Sequence, residues 1–241
     1  MTSPLIDLQG VHYAPEGRPV LSGISLRTQA RRIGIVGRNG SGKTSLARVM
    51  AGLVPLAEGR VRIAGTDVAR DRKAALAKVG ILFQNPDHQI IFPTVEEEIG
   101  FGLRQQGHSK ADVAAKVAET LAGFGKTHWA SAALHQLSQG QRQLVCLMSV
   151  LAMRPALIIL DEPLAGLDIP TTRQLQRVLA GLDISLVQIT HDPHMVQGYD
   201  RVIWLEGGTI AAEGPAAPVL AAFSRRMAEL GDGDDLTDLA G

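Results

Sequence analysis

Cysteine is nearly missing from this chain: Cys146 is the single one among 241 residues, so no internal disulfide can form. Its position in an apolar helical pattern marks it as a buried small hydrophobe rather than a reactive thiol. Net charge is missing too, since 24 basic and 24 acidic side chains cancel to +0. No long block of one sign precedes the tail, and without a basic field nucleic acid is not an expected partner. No stretch of 18 apolar residues exists, so no segment is expected to span a membrane. Met1-Thr2-Ser3-Pro4 has no basic region leading into an apolar one, and no secretory signal is expected. Internal repeats are also lacking. The expectation is a soluble, cytoplasmic chain forming one large α/β domain. If it works at a membrane, partner subunits must do the spanning.

What the chain does contain is Gly37-Arg38-Asn39-Gly40-Ser41-Gly42-Lys43-Thr44, a match to the phosphate-loop pattern G-x-x-x-x-G-K-[ST]. The apolar Ile33-Gly34-Ile35-Val36 before it reads as a buried strand. Ser45 to Ala51 after it reads as a helix stopped by Gly52. Strand, glycine loop and helix thus come in the order that phosphate binding needs. Glycines let backbone N–H groups turn inward, and the helix N-terminus adds partial positive charge. Lys43 is expected to reach the β- and γ-phosphates, and the Thr44 hydroxyl to bind Mg²⁺.

Upstream, Leu5–Tyr13 and Val20–Leu26 read as strands joined by Ala14-Pro15-Glu16-Gly17. Tyr13 has two readings, a nucleobase-stacking ring or an ordinary strand aromatic, and spacing alone favours the second. Downstream, Arg60–Ala64 reads as a hairpin strand with its turn at Gly65-Thr66-Asp67, and Val79–Phe83 as another strand ending at Gln84. From Asn85 to Ala133 the character becomes helical. Thr94 with Glu97, and Ser109 with Asp112, have the spacing of helix starts, the second helix placing Ala114, Val117, Leu121 and Phe124 on one face. Ser138-Gln139-Gly140-Gln141 opens a third helix, which Arg154-Pro155 stops. Leu157-Ile158-Ile159-Leu160 is continuously apolar, as strands covered on both faces are. Ile184–Thr190 is a further buried strand, 200–210 a hairpin over Gly207-Gly208, and Pro170 and Pro215 open two more helices.

The strands deliver chemistry at their C-terminal ends, where ligands of open α/β sheets bind. One end carries Asp161 and Glu162, another His191, and a third leads into the phosphate loop. Asp161 is expected to hold a water of the Mg²⁺ shell and Glu162 to orient or deprotonate the attacking water. His191 would contact the γ-phosphate, and Gln84 complete the metal shell or position water. Each has a structural alternative: a helix cap, a solvated carboxylate, a satisfied loop histidine. Their joint arrival at strand ends behind a phosphate loop favours the chemical reading.

Leu137-Ser138-Gln139-Gly140-Gln141 ahead of Leu157–Pro163 resembles the ATP-binding cassette family. Leu167-Asp168, His191, Gln84 and Tyr13 match its dimer loop, switch, glutamine-loop and adenine-stacking positions, over about residues 5–222. The resemblance implies an α/β phosphate-loop NTPase with a mostly parallel core sheet, an N-terminal antiparallel β subdomain and a helical signature subdomain at about 85–153. It implies a single nucleotide-binding domain over 1–230, with a flexible acidic and glycine-rich tail at 231–241. It raises the stacking reading of Tyr13, and it assigns nucleotide contacts to the phosphate loop from Gly37 through Arg38, Asn39, Gly40, Ser41, Gly42, Lys43 and Thr44 to Ser45. Two such domains dimerise head to tail, so Ser138, Gln139, Gly140 and Gln141 of one would cap ATP held by the other. Gln139 stands where the usual signature has glycine.

Phe83-Gln84-Asn85-Pro86-Asp87 and the following residues to Ile99 narrow the likeness to the energy-coupling-factor branch of vitamin and metal importers. There, an ATPase pair drives a transmembrane coupling subunit that works with a substrate-capture membrane subunit. The resemblance makes this segment the docking site for arginine-bearing helices, with Asp87 and Glu96–Glu98 as partners and Ile90–Phe92 lining a groove. Leu137 to Met148 looks most similar to the ATPases of biotin importers. The expectation is an ATP- and Mg²⁺-dependent ATPase at the cytoplasmic face of the membrane, pairing as a homodimer, with biotin as the cargo. A cobalt or nickel importer is the alternative, and a soluble cassette ATPase a more distant one. The guanine-specificity pattern Asn-Lys-x-Asp is missing, which speaks against a GTPase.

Overall fold

The computed structural model describes residues 5–233. Its first sheet is antiparallel, built from β1 (Ile6–Tyr13), β2 (Leu21–Thr28), β4 (Glu58–Ile63) and the short β5 (Thr66–Asp67) in the order β2-β1-β4-β5. The second sheet holds β3 (Arg32–Val36), β6 (Val79–Leu82), β7 (Leu157–Asp161), β8 (Ser185–Ile189), β9 (Arg201–Glu206) and β10 (Thr209–Gly214), in the order β10-β9-β3-β8-β7-β6. Pairing is parallel from β9 through to β6, and only β10 runs antiparallel, against β9.

β7 shows why its sequence is apolar throughout. Leu157 and Ile159 join the core shared with the first sheet and helix α1 (Lys43–Met50), whereas Ile158 and Leu160 point into a second cluster on the other face. Both faces are covered, so alternation has no solvent side to report. The second cluster includes Cys146 and Leu147 of α5 (Gln139–Ala152) and Leu179 of α6 (Ile169–Gly181). Burial pushes the Cys146 thiol up to about 12, in keeping with an inert hydrophobe. Strand β9 and helix α7 (Ala216–Gly233) close a third cluster around Val196, Val202 and Phe223.

A separate apolar cluster joins α5 to α3 (Val95–Gln105) and α4 (Lys110–Gly123). The buried face of α4 is Val113, Val117 and Leu121, with Ala114 exposed; the larger valine sets the rotation of the helix. Ser109 caps α4 by accepting from the Asp112 N–H, and Ser138 with Gln141 forms a complete capping box on α5. The Thr94–Glu97 pair does not cap α3 in this way, because the Thr94 hydroxyl donates to the Glu97 carboxylate at 2.7 Å.

Three further details depart from expectation. Helix α2 (Arg72–Lys78) stands where no element is expected; Asp71 caps it and Ala75 is its one buried residue. The β4–β5 turn falls at Ala64-Gly65, which take φ of 47° and 82°, so that Thr66 and Asp67 are strand rather than turn. Residues 231–233 continue α7, and the rest of the expected tail lies outside the described residues. No helix among the described residues is long and apolar enough to cross a membrane.

Candidate functional site

β3 ends at Val36 and α1 begins at Lys43, so the glycine loop spans the C-terminal edge of the parallel sheet. Two constraints make its glycines necessary. Gly42 adopts φ of 97° as the residue before the helix, and a Cβ on Gly37 would fall 2.3 Å from the Leu205 carbonyl oxygen. No side chain caps α1, which leaves its first N–H groups directed to the mouth of the loop.

Lys43 is buried beneath this loop, and its Nζ donates to the Gly37 and Arg38 carbonyls at 2.8 Å each. Burial lowers its pKa below the usual lysine value, opposed by the negative charges of Glu162 and Asp161. The Thr44 hydroxyl donates to Asp161 Oδ1 at 3.2 Å. Burial of Asp161 raises its carboxyl pKa, against the hydrogen bond from Thr44. Next in chain, Glu162 is in the left-handed region at φ 49° while its N–H donates to the Ile189 carbonyl. Such a conformation costs of order 1–3 kcal/mol for a residue other than glycine. It turns the Glu162 side chain off the end of β7 towards His191 after β8, whose Nδ1 lies 2.9 Å from Glu162 Oε1.

These groups surround a cavity of about 430 Å³ lined by Val20, Asn39, Gly40, Gly42, Lys43, Thr44, Ser45, Gln84, Glu162 and His191. Asp161 sits behind Thr44 and not on the wall, and Gly37, Arg38 and Ser41 form the back of the loop. Tyr13 is not on the wall either. It packs against the main core at the end of β1, its carbonyl accepting from the N–H of Val20, which does line the cavity. Sequence reading passed over Val20, an apolar residue in an unremarkable position.

Ser138, Gly140 and Gln141 line a different cavity of about 510 Å³, beside Lys126, Trp129 and Thr171. Gly140 is fully buried against α6, where a Cβ would meet Thr171 Cγ2 at 2.2 Å; close helix packing demands the glycine. Gln139 is exposed, its amide lying over Gly166. Asp168 accepts from the Thr171 N–H at 2.8 Å as the cap of α6, and hydrogen bonding from Thr171 holds its carboxyl below the usual range. Within one chain, then, the Ser138–Gln141 turn and the phosphate loop open on separate cavities.

The segment after Gln84 carries one correction. Glu98 is not available to an incoming arginine: it is 4% exposed, and its Oε2 accepts from the Ile91 and Phe92 N–H groups at 2.9 and 3.0 Å. It braces the loop that presents Ile91, which is 67% exposed. Asp87 is paired within the chain, 2.9 Å from Arg142 Nε. Glu96 remains exposed on the first turn of α3.

A family profile described as ABC transporter matches residues 21–165. The chain belongs to the ABC transporter family. It is 51% identical over 225 residues to the biotin transport ATP-binding protein BioM of Rhodobacter capsulatus, covering 93% of this chain and 96% of that one. It is 38% identical to the nickel import ATP-binding protein NikO of the same organism, over 91% of this chain and 92% of the relative. Among solved structures, cbiO1 from Clostridium perfringens, part of the ABC transporter complex cbiONQ, superposes with a TM-score of 0.78 at 26% identity, covering 95% of this chain and 94% of that one. A dimeric ATP-binding cassette, MJ0796, bound to ADP and Pi, gives 0.76 at 25% identity over 88% of this chain and 98% of that chain. This ABC ATPase therefore has the two-sheet fold expected of it, with the helical α3–α5 layer carrying its signature.

Proposed function

We propose that this ABC ATPase hydrolyses ATP to power an energy-coupling-factor importer for a vitamin, biotin, through membrane partner subunits. The observation that carries the reading is the 51% identity with a biotin transport ATP-binding protein along nearly the whole of both chains. The cavity chemistry supports it. Lys43 is a buried cation on the cavity wall, its Nζ held by the Gly37 and Arg38 carbonyls and suited to β- and γ-phosphate oxygens. Glu162, oriented by His191, is the base for the attacking water; such positioned help is worth about 10²–10⁴ in rate.

Mg²⁺ fits the donors present, which are the Thr44 hydroxyl, the Gln84 amide oxygen and, through water, the Asp161 carboxylate, all hard oxygen ligands. Bound with the nucleotide, it would supply charge neutralisation at the phosphates. No group of three or more His, Cys, Asp or Glu among the described residues could hold it independently, so the ion is expected to arrive with ATP.

The separate cavities of Lys43 and Ser138 support a head-to-tail homodimer, each signature completing the other chain's site. A transmembrane coupling subunit would seat against the groove beside Ile91, with a substrate-capture subunit beyond it, holding the ATPase on the cytoplasmic face of the membrane. The test is tagged Glu162→Gln purified with ATP from native membranes, followed by mass spectrometry of bound proteins and small molecules. Two hydrophobic membrane proteins with biotin are expected. The same partners with nickel or cobalt would move the cargo to the second reading, which the 38% identity to NikO supports less strongly. Soluble partners alone would overturn the transport reading.

A further inference from the structure

Two neighbouring side chains on the first turns of α5 reach across to the loop that carries Gln84. Gln143 is 2% exposed; its Nε2 donates to the Phe83 carbonyl at 3.1 Å, while its Oε1 is buried with no hydrogen-bond partner. Arg142 lies 2.9 Å from Asp87 through Nε, and its Nη1 donates to the Leu137 carbonyl at 2.6 Å. The Nε contact is ionic and lacks hydrogen-bond direction, so it holds by charge and can be exchanged for another cation without losing a directed bond. Asp87 and Arg142 also line one shallow groove with Ile90, Phe92, Pro93 and Leu134. The Asp87 side chain is 59% exposed and that of Arg142 only 22%. An incoming cation therefore meets the carboxylate first.

We propose that Arg142 is a positioning residue linking this groove to the signature turn: one guanidinium holds Asp87 on the groove wall and the Leu137 carbonyl immediately before Ser138. A cation brought to Asp87 by the groove's occupant competes for the carboxylate, frees Arg142 and lets the Leu137–Ser138 turn shift relative to the Gln84 loop. Glu98 accepts from the N–H groups of Ile91 and of the groove residue Phe92, so that segment is held by directed bonds and the arginine is the movable element. This inference rests on the reading of the groove as the membrane partner's seat and of Ser138 as a nucleotide contact in trans.

The test uses the complete tagged chain and the membrane proteins that co-purify with it. ATPase kcat and KM are measured for the chain alone and in the complex, for wild type, Arg142→Gln and Arg142→Lys. Arg142→Gln should co-purify the same proteins within about 2-fold and bind ATP in cis as wild type does. It should lose at least about 10-fold of the partner-dependent change in kcat, with KM for ATP little altered. Arg142→Lys, which keeps the charge but cannot span Asp87 and the Leu137 carbonyl together, should recover only part of the coupling, and it serves if the glutamine variant does not fold. A purely structural role would lower active protein in all assays alike, and that result overturns the proposal. Full partner response in Arg142→Gln overturns it while leaving the groove as the docking seat. A wild-type chain that retains no membrane protein removes the docking reading, and this inference with it.

Discussion

Gly140 offers a sharp test of what the signature glycine does. An added Cβ there would sit 2.2 Å from Thr171 Cγ2 on α6, far inside van der Waals contact. Thr171 is β-branched and helical, so its χ1 is restricted to two favoured rotamers. Overpacking of this kind costs about 1–3 kcal/mol, which in a chain of this size lowers the melting temperature by about 2–12 °C. Thr171→Ser removes the offending methyl, leaving Thr171 Cβ at 3.4 Å and the hydroxyl oxygen at 3.5 Å from the new Cβ. The serine alone should cost about 0.8 kcal/mol, one buried methyl. The double variant Gly140→Ala/Thr171→Ser should then match the serine variant within about 0.5 kcal/mol, a coupling of about 1–3 kcal/mol in a double-mutant cycle. Urea titration of the four proteins reads the stability, and steady-state ATPase reads the function. An additive cycle would refute the steric account. Restored stability with turnover still depressed would assign Gly140 a second duty, the approach to nucleotide that the family resemblance implies.

Glu162→Gln should keep ATP binding but slow hydrolysis by about 10²–10⁴, seen as an ATP-dependent dimer on size exclusion; full turnover would remove Glu162 from the chemistry. Asp161→Asn should raise the resistance of the nucleotide-free protein to denaturant at neutral pH. Burial raises the folded pKa of Asp161, so its contribution to stability is complete below 3.8 and is lost as pH rises through the raised value. The advantage of the asparagine should accordingly shrink on acidification, and an advantage independent of pH would contradict the burial argument. Ile91→Asp, at a side chain 67% exposed, should shift the chain from membrane to soluble fractions by at least about 5-fold, given that an unpaired charge in an apolar contact costs a kcal/mol or more; unchanged fractionation would move the docking seat elsewhere.

How much of this was legible in the sequence depended on how local each cause is. β7 and the glycine loop were legible because the apolar run, the glycines and Asp161-Glu162 are contiguous, and parallel topology alone brings their ends together. Helix α2 was not, since Ala75 is its single buried residue and so small an apolar face leaves no periodic signal. The acidic run 96–98 reads as a solvated helix start that suits the dipole. What buries Glu98 is a pair of backbone N–H groups in the irregular loop at Ile91 and Phe92, and no residue type announces those. Gly140 was assigned to the nucleotide by likeness, while its contact with Thr171 exists only because α5 and α6 cross there.

Arg142 extends the same reasoning. On a helix map it is one more cation following the signature, yet its two partners, Asp87 and the Leu137 carbonyl, lie before and after the whole α3–α4 layer in the chain. That layer folds around its own apolar cluster, and its helix α5 also packs on β7 through Cys146 and Leu147. Lys43 and Thr44 open α1 after the loop that follows β3, and Glu162 follows β7; Ser138 caps α5, which packs on α3 and α4 on one side and on β7 and α6 on the other. A transport ATPase that must close and reopen needs one half of its site held rigidly and the other half able to move. In the proposed head-to-tail dimer the two halves lie on different chains, Lys43 and Glu162 on one and Ser138 on the other, so relative motion of the chains meets that need.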